Sequence, residues 1–464
     1  MRKISGLLTL LALTLGAVAG FAAPRVVVLR STTHGLPVRG RIQLKGPDNH
    51  SFAPYKAQNH LSATLNNLIK TQQRGPAYHN CAGFLSIPCF DSWFITGYRS
   101  SVYSYSMVGH SPTAGGTTGI PNEVIPLELW LIGPDGSTII YDYDPTVPQD
   151  LGLSDVSLVT QGPIWNATTT YPGDANLPAD TGQFVDTTIR ASFNGVKAAN
   201  WHTPLNAPSF PSVHYIGQLF INNGDWQCFI GFLPPCTSPG DFPVVNIDSI
   251  SNIFGQILGP ANEDVPSTEV PIILTDFVTA FIPIVPYGGG CCVLGFHSAQ
   301  PGNEPGGNSV LVWTWATYIA QSSNNPFAPF GYDTFVLTHE LSELYHDPFV
   351  NTLVSPWIDG SATFAQANLE TGDAIEAMND SDSDYHVLLT TTGGPYTYHT
   401  QNEAILEWFT RNPEGPPVGP GPGVYSWPNT NTLNNGHPCH TPFVYGEGPA
   451  GFTNDDGTSS GQCH

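Results

Sequence analysis

Asp333-Thr334-Phe335-Val336-Leu337-Thr338-His339-Glu340-Leu341-Ser342-Glu343-Leu344-Tyr345-His346-Asp347-Pro348 is the stretch on which the reading of this chain turns. Asp333 suits the cap of a helix, because a carboxylate there accepts from an N–H of the first turn that has no partner inside the helix. The helix is expected to run from about Thr334 to Tyr345. Pro348 stops it, since the residue before a proline avoids helical dihedrals. At 100° per residue Leu337, Leu341, Leu344 and Tyr345 fall on one side and His339, Glu340, Glu343 and His346 on the other. The segment is thus expected to present one face to a core and another to a site.

Side chains four apart stack one turn above the other, the reach that two ligands of one ion need, which is why His-Glu-x-x-His serves zinc peptidases. Here the second ligand position is Glu343, and a carboxylate oxygen is an accepted zinc ligand. Glu340 lies beside that pair and suits a general base acting on metal-activated water. A third ligand must come from elsewhere. Glu370, in Glu370-Thr371-Gly372-Asp373 some 27 residues beyond Glu343, is the first candidate, with Asp373 as the acceptor that orients His339. Asp373 and His346 are the alternates for the ligand itself.

Working outward, the N-terminus carries Arg2 and Lys3, an apolar run from Leu7 to Val18 and small residues offering cleavage near Ala19 or Ala22. That pattern predicts a signal peptide over 1–22 and a secreted or periplasmic protein. No later stretch is apolar enough to predict a membrane span. Of 464 residues 14 are basic and 37 acidic, a net charge of −23 that argues against nucleic acid and against an anionic membrane surface as partners. Charged residues make up only 11% of the chain, against about 25% in an average protein, so a cluster of His and Glu stands out. A surface with so few charges also suggests tolerance of acid.

Eight cysteines in an exported chain point to disulfides. Cys81 with Cys89 and Cys228 with Cys236 are the favoured local pairs. Cys439 and Cys463 could tie down the tail, while the adjacent Cys291 and Cys292 are badly placed to bond each other. The expected fold class is α+β: a β-rich N-terminal region over 24–210, a region carrying the metal-site helix and a few others over 211–412, and a Pro/Gly-rich tail over 413–464. Val26–Leu29 reads as a strand. Hairpins are expected around Gly133-Pro134-Asp135-Gly136 and Asn222-Asn223-Gly224-Asp225, and β runs over 272–285 and 310–319. Helices are expected around Leu61–Ile69, over 247–258 ahead of Gly259-Pro260, and from about Gln401 to Arg411. Asp380-Ser381-Asp382-Ser383-Asp384 is a weak calcium-loop pattern, lacking the glycine and the closing glutamate of such loops.

His339-Glu340-Leu341-Ser342-Glu343, Asp347-Pro348 and Glu370-Thr371-Gly372-Asp373 together resemble the exported EXORDIUM and phosphate-induced family of plants and its bacterial relatives. Gly295-Phe296-His297-Ser298 resembles the Gly-aromatic-His element ahead of the family's helix, and Trp408 its closing tryptophan. The resemblance covers about Tyr287 to Arg411 and fades before residue 270. It departs at Ile375, where the family has a cysteine. It implies a zincin-like fold for the metal-site region. Two functional expectations follow. One is a secreted zinc metallopeptidase acting on an extracellular peptide or protein. The other is a non-catalytic module binding cell-wall polysaccharide on the same scaffold.

Overall fold

The computed structural model describes residues 25–31, 81–95, 102–173, 177–229, 235–236, 241–259, 265–282, 290–301, 309–321, 331–358, 365–376, 383–410 and 425–430. The expected helix around Leu61–Ile69, the signal segment, Asp380–Asp382 and the C-terminal cysteines lie outside these residues.

The fold is α+β and rich in strand. Its centre is a seven-stranded sheet in the order Arg25–Arg30, Val213–Phe220, Asn122–Ile132, Val270–Asp276, Val310–Tyr318, Gly295–Pro301. Ile139–Tyr143 pairs beside the far half of the Asn122–Ile132 strand. Neighbours along the main path run parallel, except that Gly295–Pro301 returns antiparallel along one edge. Both central strands, Val270–Asp276 and Val310–Tyr318, are buried at every position. That is the signature of a sheet covered on two faces, and it explains why these segments read as unbroken apolar runs.

Alternation along the strands sorts the side chains into two cores. Leu311, Trp313 and Trp315 meet Ile250, Ile253, Phe254 and Ile257 of the helix Ile247–Ile257 on one face. Val310, Val312 and Ala316 meet Leu337, Leu341, Leu344 and Tyr345 of the helix Phe335–His346 on the other. This second helix, the site helix, also packs on the helix Phe184–Ser192 and on the hairpin Asp384–Thr391/Gly394–Gln401. With neighbours on every side, its buried residues include all of its members except His339. Its core face and its site face are thus both enclosed.

The sheet takes strands from both sides of position 210. Two expectations are corrected here. Asn222–Asp225 turns the chain, with Gly224 at φ 73°, but makes no hairpin. Both edges of the Val213–Phe220 strand are already taken by parallel neighbours, so Trp226–Cys228 pairs instead with Pro243–Asn246 in a second, four-stranded sheet. The helix expected over 401–411 is confined to Leu406–Thr410, because Gln401 belongs to a strand and Glu403–Ala404 pairs with Ser426–Trp427. Gly133–Gly136 does close a hairpin. Cys81–Cys89 and Cys228–Cys236 are disulfides with Cα atoms 6.1 and 5.4 Å apart. No helix among the described residues is long and apolar enough to cross a membrane.

Candidate metal centre

Two glycines let the site form. Gly295, on the edge strand, lies under the site helix, and a Cβ there would come within 2.6 Å of Val336 Cγ1 and 2.9 Å of Glu340 Cγ. Side chains at 295, 297 and 299 share the face turned toward that helix. This brings His297 beneath Glu340 and Glu343. Gly372 lies against the ring of His339, where a Cβ would sit 2.4 Å from Nδ1.

His339 is fixed from behind. Its Nδ1 lies 2.8 Å from Gln401 Oε1, and the Gln401 amide is oriented by donating from Nε2 to the Gly372 carbonyl at 2.8 Å. The backbone N–H of Gln401 donates to Thr338 Oγ1 at 2.9 Å, tying strand to helix. With the amide oxygen facing Nδ1, the proton belongs on Nδ1 and Nε2 is left to face the carboxylates. There it lies 3.2 Å from Glu343 Oε2, 3.7 Å from Asp373 Oδ1 and 3.8 Å from Glu340 Oε1. His297 Nδ1 approaches the same Glu343 Oε2 at 3.4 Å and Glu340 Oε2 at 3.5 Å. Glu343 Oε1 meanwhile accepts from the backbone N–H groups of Gly372 and Asp373, at 3.0 and 3.2 Å.

Two sets of three could each hold an ion, His339–Glu343–Asp373 and His297–Glu340–Glu343, and they share Glu343. Ligand atoms around a tetrahedral zinc with bonds near 2.0 to 2.1 Å stand about 3.3 Å apart. The separations within the two sets, 3.2 to 3.7 Å, lie close to that figure. His297 Nε2, Glu340 Oε2 and Glu370 Oε2 are buried without a hydrogen-bond partner. Such orphaned groups are costly unless a cation satisfies them.

The electrostatics agree. Burial alone would depress the imidazoles of His297 and His339, but the carboxylates facing them, Glu340 and Glu343 for His297 and Glu343 and Glu340 for His339, lift both well above the usual histidine range. Burial would likewise raise Glu343, yet His339 and His297 outweigh it and hold this carboxylate far below normal. Glu370 is raised well above the carboxylate range by burial and by Glu343, and Glu340 is raised by burial. Without an ion the cluster thus holds protons; a divalent cation could replace them.

The pair His339 and Glu343 comes together as its spacing suggested. The remaining assignments rearrange. Glu370 faces His297 Nε2 at 3.7 Å, the opposite ring nitrogen from the one facing Glu340 and Glu343, and so is placed to orient His297. Asp373 moves from the orienting part to the ligand set with His339 and Glu343, while Gln401 orients His339. His346 is turned away: its Nδ1 donates to the Ser342 carbonyl at 2.8 Å and its Nε2 accepts from Ser192 Oγ at 2.9 Å. Asp347 accepts from the N–H groups of Asn351 and Thr352 and shapes the turn after the helix. Glu403 is also buried near His339, and burial raises its carboxyl well above the usual carboxylate range, which favours its neutral, protonated form. The part of His297 in the cluster was not legible from helical spacing, because it arrives from a strand. Its local mark was the Gly295-Phe296-His297 element on which the family resemblance partly rests.

No protein-family model matches the chain, and neither the curated proteins nor the solved structures include one significantly similar to it.

Proposed function

We propose that this chain is an exported, zinc-dependent, peptidase-like hydrolase, a divergent relative of the EXORDIUM and phosphate-induced proteins on a zincin-like scaffold. The observation that carries the reading is the convergence of His297 and His339 on one buried carboxylate, Glu343, with Glu340 beside His297 and Asp373 beside His339, in a chain otherwise poor in charge. His339, Glu343 and Asp373 would hold the ion. A zinc ion in such a place supplies Lewis acidity toward a substrate carbonyl and lowers the pKa of water.

Glu340 is the general base. Its carboxylate stands between the two imidazoles, 3.8 Å from His339 Nε2 and 3.5 Å from His297 Nδ1, so it borders the ion set without belonging to it. It takes the proton of the attacking water and returns it to the leaving amine. His297 keeps that carboxylate in place, and Glu370 in turn steadies His297. Secretion accords with the disulfides Cys81–Cys89 and Cys228–Cys236.

Glu340→Gln separates catalysis from metal binding. The variant should retain zinc and the parent's melting temperature and lose roughly 10² to 10⁴ in turnover on unfolded casein or a peptide library, the usual share of a general base. Equal cleavage by parent and variant would overturn the mechanism. Zinc retention with no cleavage by either would favour the wall-polysaccharide module.

A further inference from the structure

The hairpin Asp384–Thr391/Gly394–Gln401 carries a second group of ligand-type side chains that takes no part in the cluster around Glu343. His386 and His399 are direct cross-strand partners, with ring centroids 4.7 Å apart. Asp384 lies two residues before His386 and therefore on the same face of the hairpin. Its Oδ2 is 3.1 Å from His386 Nε2 and 4.0 Å from His399 Nε2. Each of the three offers one ligand atom within 4.8 Å of the others.

Two further observations point to a ligand. Asp384 is only 4% exposed in its side chain, and its Oδ1 is buried with no hydrogen-bond partner. His399 Nδ1 lies 2.6 Å from Oδ2 of Asp333, a carboxylate fully buried at the start of the site helix, whose other oxygen accepts from the His399 backbone N–H at 2.8 Å. A carboxylate against Nδ1 fixes the imidazole tautomer with its proton on that nitrogen, which leaves the Nε2 lone pair aimed at Asp384. Carboxylate–histidine–metal triads are built in this way.

We infer that Asp384, His386 and His399 form a second site for a divalent transition-metal ion, with ligand preferences suited to zinc. Two imidazoles and one carboxylate match that class of ion, and calcium, which wants six or more oxygens, does not fit them. His386 is 60% exposed in its side chain, so the site opens to solvent and retains a position for water or an external ligand. The ion would clamp the two strands together. Because the same strand continues from His399 to Gln401, the clamp also steadies the residue that orients His339. The site does not depend on the hydrolase reading, since it shares no ligand with the first cluster.

The test is zinc stoichiometry on the full chain by equilibrium dialysis, with cobalt(II) absorption as a spectroscopic check. His386→Ala, at an exposed position, should keep the parent's melting temperature in chelator and bind one equivalent fewer. Asp384→Asn preserves shape and should lose the same equivalent. His339→Ala should still bind at the hairpin, and its cobalt spectrum should be abolished by adding His386→Ala. Stoichiometry and cobalt spectrum unchanged in both His386→Ala and Asp384→Asn would overturn the site.

Discussion

Replacing Gly372 by alanine adds a single methyl group at the most crowded point of the candidate metal centre. An ideal Cβ there would lie 2.4 Å from His339 Nδ1 and 2.7 Å from Cε1 and Cγ of the same ring. Ordinary contact begins at 3.4 Å, so ring or backbone must yield by about 1 Å. Neither has room. Nδ1 is bound to Gln401 Oε1 at 2.8 Å, Nε2 stands 3.2 Å from Glu343 Oε2, and the Gly372 N–H is itself bound to Glu343 Oε1. Metal sites tolerate ligand displacements of only about 0.2 Å, and overpacking a buried site costs about 1 to 3 kcal/mol. Gly372→Ala should therefore weaken zinc binding by about 100-fold or more and lower stability by that amount, because the same methyl group displaces both the ligand and its support. The control is Gly255→Ala, in the helix Ile247–Ile257, where a Cβ meets nothing within 4 Å. It should stabilise by about 0.5 to 1 kcal/mol through helix propensity and leave zinc unaffected. Competition dialysis against a chelator and urea unfolding read both quantities. Zinc affinity for Gly372→Ala within about threefold of the parent would refute the packing argument.

Acid should act through His346. Burial pushes its imidazole down to about 4, below the ordinary value of 6.5, so the unfolded chain takes up the proton first. Its contribution is complete above about pH 6.5 and falls by roughly 3 kcal/mol as the pH drops toward 4. A urea-unfolding series over that window should show a shallower slope for His346→Gln than for the parent; equal slopes would remove this group as the cause. The buried imidazole of His346 thus works against the acid tolerance suggested by the sparse surface charge. Each local disulfide closes a loop of eight residues' separation, worth about 2.5 kcal/mol in the chain-entropy picture. Cys228→Ser/Cys236→Ser should lower stability by that order with zinc content unchanged, and a loss of zinc would mean that the second sheet supports the metal centre.

How much could be read in advance depended on the range of the interaction. The site helix and its His339/Glu343 pair follow from spacing, since neighbours on consecutive turns are fixed by the helix itself. Both local disulfides follow from short loops, and the Gly133–Gly136 hairpin from turn chemistry. The second expected hairpin failed because strand pairing is competitive, and Val213–Phe220 had already spent both of its edges on partners far away in sequence.

The sequence by itself determined an α+β chain with a helix bearing His339, Glu340 and Glu343 on one face, because periodicity and proline placement act within a few residues. Only the tertiary structure decided which partners meet that helix. The antiparallel edge strand delivers His297, the segment after Asn368 sets Asp373 rather than Glu370 beside His339, and the C-terminal hairpin supplies Gln401. His346, which shares the helix face in projection, is captured by Ser192 from a helix packed against it. Spacing along one helix fixes directions from its own axis. Which of those directions becomes a site depends on what the rest of the chain packs there, and that choice is made by burial and pairing over separations of 30 residues, as with Asp373 and Glu343, up to 154, as with Ser192 and His346.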